Sequence, residues 1–311
     1  MKLLVLGGAG FIGTNLYPLI APQNQVLVFD SLQMGNNLSR ANIESEIIEE
    51  NMLNLDRLSS VLEEFKPDRI FHFAANSDIS ASAKNSQIDI DNTYLTTHNL
   101  VQACIFAKLR PQVIFASSSA VYGPADLPIT EKSPKSPISS YGWMKLLSEE
   151  VLKNALQNNQ ISKLTIVRFP NVTGKWQTHG VVKDLVSKLK KNKDQLDILG
   201  DGNQSKPYVL VNELCKEILR LLNLQDRSFE EVNLAPIDVV SVKEIVDSLI
   251  RYSKLKPRLN YEANSYGWIG DVPKYSYDTN HAKSLLGIIN FGTSQNAIDK
   301  SIAWEWDYSG R

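Results

Sequence analysis

KLLVLGGAGFIG, residues 2–13, runs a short aliphatic segment straight into a glycine triplet. A segment apolar at every position over so short a length reads as a strand buried on both faces. Gly7, Gly10 and Gly13 follow at three-residue spacing, and Phe11-Ile12 opens a helix-like pattern. Glycines there allow a tight turn and close approach of a phosphate to the backbone. The helix start that follows offers N–H groups and the positive end of a dipole. The same apolar start superficially suggests a signal peptide, but the glycines come too early and no cleavage-type segment follows. A buried first strand, and with it a cytoplasmic protein, is the expectation.

Working outward, five more segments have the same strand character: QVLVFD (25–30), EIIEEN (46–51), RIFHFA (69–74), QVIFAS (112–117) and KLTIVRF (163–169). Helix-like stretches lie between them at 54–65, 92–109 and 141–158. Alternation of this kind over the first 170 residues predicts a Rossmann-type, doubly wound parallel α/β sheet. Asp30 closes the second strand, where a carboxylate can accept both ribose hydroxyls of NAD and repel the 2′-phosphate of NADP.

After Phe169 the rhythm breaks. Residues 171–180 read as a loop, 181–192 and 212–224 as helices, 231–235 as a strand, 241–253 and 279–287 as helices, with a loop-rich segment reaching Tyr277. The expected organisation is an NAD-binding domain over 1–170 plus about 208–235, and a smaller C-terminal α/β substrate domain over 171–207 and 236–311. The basic run at 188–193 reads as the solvated end of a helix.

The chain has 311 residues, 43% hydrophobic and 22% charged, with a formal net charge of -1. This is the balance of an ordinary globular protein and gives no basic footprint for nucleic acid. No apolar run approaches the roughly 20 residues of a membrane span. Cys104 and Cys215 lie in apolar helical runs and read as buried free thiols. No His, Cys or carboxylate spacing suggests a metal site.

A second group carries chemistry. The fifth strand ends in SSSAVYG (117–123), and Tyr141-Gly142-Trp143-Met144-Lys145 opens a later helix. Residues i and i+4 share a helix face, so Tyr141 and Lys145 point to one place. A free phenol titrates near pH ~10. An ammonium and a nicotinamide cation beside it are expected to lower that value, making Tyr141 a base for an alcohol that loses hydride. A serine at the strand end can hydrogen-bond the same oxygen.

On these motifs the chain resembles the extended short-chain dehydrogenase/reductases, specifically the NAD-dependent nucleotide-sugar epimerase/dehydratase family, over nearly its whole length. The resemblance implies Ser118, Tyr141 and Lys145 as the catalytic trio. It implies NAD held by Gly7, Gly10, Phe11, Ile12, Gly13, Asp30, Asn51, Met52, Phe73, Ala74, Ala75, Tyr141, Lys145 and Pro170. It implies a nucleotide-sugar touched by Asn76, Ser119, Asn171, Lys206, Tyr208, Trp268 and Asp271. Lys206-Pro207 stands where relatives have Arg-Asp, and Trp268 where they have an Arg ahead of Asp271; such arginines grip the substrate diphosphate. Sugar 4,6-dehydratases carry Asp-Glu directly after the catalytic Ser or Thr, whereas here Ser119-Ala120 follow Ser118. A 4-epimerase working through a 4-keto sugar is therefore expected, with a 4-keto reductase or 4-oxidase as the alternative. A non-catalytic NAD sensor would lack the Tyr or the Lys, and both are present. Tyr275 hints at a sugar without an N-acetyl group. His72 reads as packing, and His98, His179 and His281 as structural or exposed. Relatives also suggest a homodimer formed through helices 92–109 and 141–158.

Overall fold

A computed structural model describes residues 1–311 other than 34, 77–81, 83–84, 223, 225–226, 266, 268–269 and 309–311. The chain forms two compact units. The first comprises Met1–Gly123, Lys135–Arg168 and Ile218–Val232; the second comprises Pro124–Pro134, Phe169–Glu217 and Asn233–Arg311. Pro124–Pro134, read from the sequence as part of the first domain, thus clusters with the second unit, as do residues 208–217.

The first unit is built on β1 (Lys2–Leu6), β2 (Gln25–Asp30), β3 (Glu46–Glu49), β4 (Arg69–His72), β5 (Gln112–Ala116) and β6 (Lys163–Arg168). The sheet order is β3-β2-β1-β4-β5-β6, with Phe229–Asn233 at the far edge beyond β6. Every neighbouring pair from β3 to β6 is parallel. The order reverses between β1 and β4, the switch point beside which doubly wound sheets hold ligands at the strands' C-terminal ends. Leu4, Leu6, Phe29, Ile70, Phe115 and Ile166 are almost fully buried, as expected of strands covered on both faces.

Four helices flank the sheet. Helix α1 (Phe11–Ile20) follows the glycine turn. Helix α2 (Leu55–Phe65) starts at Asn54, whose side chain accepts from Arg57 N, and ends at Lys66 in the left-handed conformation; it buries Leu58, Val61, Leu62 and Phe65. Helix α3 (Thr96–Phe106) is preceded by a π-helical stretch over Ile90–Leu95. The helix read at 92–109 thus begins in the wider π geometry. Helix α4 (Ser140–Gln157) is capped by Ser139, whose Oγ accepts from Gly142 N at 3.1 Å, so Tyr141 sits in the first turn. Both cysteines are buried, and neither forms a disulfide among the described residues.

In the second unit, β7 (Asn171–Thr173) pairs in parallel with β10 (Tyr208–Leu210), β8 (Gln195–Ile198) with Arg258–Tyr261, and β9 (Ser205–Lys206) runs antiparallel to Val240–Ser241. Residues 171–173 are therefore a strand, not the loop read from the sequence; three residues are too few to display a period of two. Helices α5 (Val181–Lys191), α6 (Val211–Leu221, whose last residues from Ile218 belong to the first unit), α7 (Val242–Ser253), α8 (Asn280–Leu286) and α9 (Ser294–Tyr308) complete the chain. The core joins Leu185 and Leu189, Leu196 and Ile198, Ile245 and Leu249, and Ile298 and Ile302. Among the described residues, no helix is long and apolar enough to cross a membrane.

Candidate functional site

The sequence-selected residues of the first unit gather at the C-terminal ends of β1, β2, β4 and β5. Gly7 leaves β1 at φ +74, and a Cβ there would lie 2.5 Å from Ala74 N. Its own N–H donates to Phe29 O at 2.9 Å. The turn is thus pressed against the end of β4, a fit only glycine permits. Gly13 faces the turn equally closely, its added Cβ meeting Gly8 O at 2.4 Å. Gly10 is the N-cap of α1 and has no side chain to cap it, and no acidic residue occupies the first turn, which starts with Phe11 and Ile12. A helix start of this kind following a glycine turn fits the pyrophosphate of a dinucleotide.

Asp30 is held in place by two backbone donors, Ala9 N to Oδ2 and Leu32 N to Oδ1, both at 2.9 Å. Burial raises its pKa, and those two bonds oppose the rise. A carboxylate oriented in this way suits a ribose diol. Phe73 N and Ala74 N both donate to Leu6 O, so Phe73, Ala74 and Ala75 lead away from β4 alongside the glycine turn. Asn51 Oδ1 accepts from Leu53 N at 2.8 Å, and Met52, nearly fully buried, accepts through its carbonyl from Asn99 Nδ2 on α3.

Ser118 follows β5 and caps a short turn, its Oγ accepting from Ala120 N at 3.2 Å; Ser119 is buried behind it. Tyr141 hydrogen-bonds Ser118. The Lys145 ammonium lies 5.9 Å from the Tyr141 ring centroid and 4.8 Å from that of Phe115, and donates to Ala116 O. The trio is therefore one cluster. The protein's own groups, taken by themselves, raise the phenol rather than acidify it. Burial drives Tyr141 up to about 12, the Ser118 bond pulls down, and the negative charge of Asp89 pushes up again. Burial drives Lys145 down to about 7, with Glu149 opposing the fall. In the protein alone, desolvation outweighs the attraction between phenolate and ammonium.

Two of these charged neighbours were not singled out in the sequence. Asp89 is fully buried. Its Oδ1 accepts from Asn76 Nδ2 at 2.7 Å, while Oδ2 has no donor among the described residues. Asn76 is fixed further by its N–H to Thr93 Oγ1 at 3.1 Å. Glu149, also fully buried, takes Ser117 Oγ at 2.5 Å and Arg168 Nε at 2.8 Å on Oε1, and Arg168 Nη2 at 2.6 Å on Oε2. Arg168 also donates to Tyr122 OH at 3.0 Å and Glu231 at 2.7 Å. The spacing Tyr141, Lys145, Glu149 puts all three on one helix stripe and was the available sequence signal. His72 bonds Thr97 through Nε2 at 2.8 Å; burial, then Lys145, lowers its pKa to about 3, the behaviour of a packed neutral histidine.

In the second unit, Lys206 forms an ion pair with Asp271, whose other oxygen accepts from Gly267 N at 3.4 Å. Tyr208 on β10 stands opposite Asn171 on β7 and hydrogen-bonds it; burial raises the Tyr208 pKa. Burial, then the charge of Asp271, raises Tyr275 as well. Pro170 is buried two residues past β6. Trp268 lies outside the described residues. Among the described residues, no group of three or more His, Cys, Asp or Glu could hold a metal ion.

The NAD dependent epimerase/dehydratase family matches residues 3–235. A UDP-glucose 4-epimerase of Lactobacillus helveticus is 30% identical over 334 residues, covering 99% of this chain and 98% of that protein. The crystal structure of UDP-glucose 4-epimerase from Brucella ovis in complex with NAD is 25% identical with a TM-score of 0.87, covering 98% of both chains. MoeE5 in complex with UDP-glucuronic acid and NAD is 26% identical with a TM-score of 0.86, again over 98% of both chains.

Proposed function

The chain belongs to the NAD-dependent epimerase/dehydratase family, and from that premise we propose that it is a nucleotide-sugar 4-epimerase acting on a UDP-hexose through a transient 4-keto sugar. The observation that carries the reading is the Ser118–Tyr141–Lys145 cluster past the C-terminal end of β5, on the same sheet edge as the glycine turn after β1 and Asp30 at the end of β2. The sequence adds that Ser118 is followed by Ser119-Ala120, so the acid pair needed for dehydration is missing.

Bound NAD supplies the hydride acceptor and donor and a positive ring charge. Gly7, Gly10 and Gly13, with Phe11 and Ile12 opening α1, would receive its pyrophosphate. Asp30 would take the ribose hydroxyls, Asn51 and Met52 would border the adenine, and Phe73, Ala74, Ala75 and Pro170 would line the cofactor. Ser118 orients Tyr141 through their hydrogen bond. Tyr141 takes the proton of the sugar O4 as C4 loses hydride, and returns it when hydride comes back on the other face. Lys145 stabilises the phenolate form by its charge. Asn76, Ser119, Asn171, Lys206, Tyr208, Trp268 and Asp271 are the residues we assign to the nucleotide-sugar, Lys206 and Asp271 acting as a pair.

Two measurements test this. Denaturation should release about one NAD per chain, and UDP-glucose and UDP-galactose should interconvert without added cofactor. Net, stoichiometric formation of NADH would favour the oxidase or reductase reading instead. Tyr141→Phe should lower turnover at least about a hundredfold while NAD stays bound; full activity in that variant would remove Tyr141 as the base.

The homodimer is supported by apolar side chains on two helices of the first unit. Trp143 is 48% and Leu147 42% exposed on α4, one turn apart, and Ile105 is 39% and Phe106 54% exposed on α3. Trp143→Asp combined with Leu147→Asp should give a monomer by light scattering. A monomeric parent protein would refute the dimer.

A further inference from the structure

The Lys145 ammonium needs both a fixed position and a proton, and the side chains below it on α4 bear on each. Its acceptor is Ala116 O, the last residue of β5. The next residue, Ser117, donates its hydroxyl to Glu149 Oε1 at 2.5 Å. Glu149 is held against β6 by two bonds from Arg168, and Arg168 by Glu231 and Tyr122. All of Ser117, Glu149 and Arg168 are essentially without solvent exposure. A carboxylate with three donors on its two oxygens in such surroundings has little freedom to move.

We propose that Glu149, clamped by Ser117 and Arg168, is a positioning residue that holds the end of β5 under the Lys145 ammonium and keeps that ammonium charged. The inference rests on reading Lys145 as part of the reacting site. The charged and titratable groups facing Lys145 come from several elements. Tyr141 and Glu149 lie on its own helix and His72 lies on β4; Asp89, in the turn Gln87–Asp89 that packs on α4, acts on Tyr141. His72 is neutral at working pH because burial and Lys145 hold its pKa at about 3. Glu149 is therefore the anion that offsets the desolvation of the ammonium, and burial still leaves that ammonium poised at about 7. Arg168 does not cancel this effect, because Glu231 shares its charge at 2.7 Å.

The test is a lysine side-chain NMR titration of the NAD-loaded protein, with the Lys145 resonance identified by its loss in Lys145→Met. Glu149→Gln keeps an acceptor for Ser117 and leaves the Arg168–Glu231 pair in place. It should move the Lys145 midpoint down by roughly one pH unit. The alkaline limb of kcat should move down with it, with about a tenfold loss of kcat near pH 8. Glu149→Asp retains the charge but shortens the reach to Ser117 and Arg168, so its Lys145 midpoint should stay near wild type while kcat falls at every pH. Ser117→Ala should behave like Glu149→Asp. An unchanged Lys145 midpoint in Glu149→Gln would overturn the proposal, as would parallel loss of NAD and of the folded state in all three variants. The titration needs no turnover, so the inference can fail or stand independently of whether UDP-hexoses are the substrates.

Discussion

Asp89 places a carboxylate in a fully buried setting with one oxygen on Asn76 and the other without a donor among the described residues. An unpaired buried acceptor costs on the order of 1–3 kcal/mol, more when charged. Its charge also opposes ionisation of Tyr141. Asp89→Asn removes that charge and keeps an acceptor for Asn76. The Tyr141 pKa should fall, because phenolate no longer meets a neighbouring anion. The acid limb of the kcat/KM profile should therefore move to lower pH, and the thermal midpoint should hold or rise. A limb that stays in place would mean that Asp89 does not act on the base. The trio itself was legible from order and spacing: a serine-ended strand, then Tyr-x-x-x-Lys at a helix start. Asp89 and Glu149 were not singled out, because an acid reads as solvent-facing until its burial is seen. The upward pull of the protein's own groups on Tyr141 was not legible either, because proximity of Lys145 is visible in a sequence and the desolvation of both groups is not.

Among the elements, the long ones declared themselves. Strands β1, β2, β5 and β6 are continuous apolar runs, and their ends lie within a residue or so of the reading. Strands β7, β9 and β10 span three residues or fewer and exist only because each finds a partner elsewhere in the second unit. The terminal helix α9 was not anticipated for another reason: its buried stripe mixes Ala297, Ile298 and Ile302 with Ser294, Ser301 and Glu305, which breaks the apolar period. Thr173 Oγ1 donates to Ser301 Oγ at 2.6 Å, so Ser301 is satisfied in the core. Helix α7 shows the opposite case, with Ser241 and Glu244 forming a reciprocal capping box. Ser241→Ala should destabilise the protein by about 1 kcal/mol, read as a lower urea midpoint with unchanged slope. No change in midpoint would show that the box is redundant with packing.

For the whole molecule, the Arg168–Glu149–Glu231 group, with Arg168 and Glu149 fully buried and Glu231 partly exposed, is the largest concentration of charge described inside the first unit. Arg168→Leu would strand two carboxylates, and the expected cost is about 3–5 kcal/mol in denaturant unfolding. A loss under about 1 kcal/mol would mean that water or Lys153, 3.6 Å from Glu231, compensates. The fold class was readable from the alternation of strands and helices, whereas the interleaving of the two units was only partly visible: the sequence marks turns but not which unit a returning segment joins. That interleaving constrains biosynthesis. The outer edge of β6 is covered by Phe229–Asn233, which leaves the ribosome long after β6 itself. Until then a nascent chain carries an open strand edge of the kind that recruits other chains. Translation stalled between residues 168 and 229 should therefore yield chaperone-bound or aggregated product, while release beyond 233 allows the sheet to close.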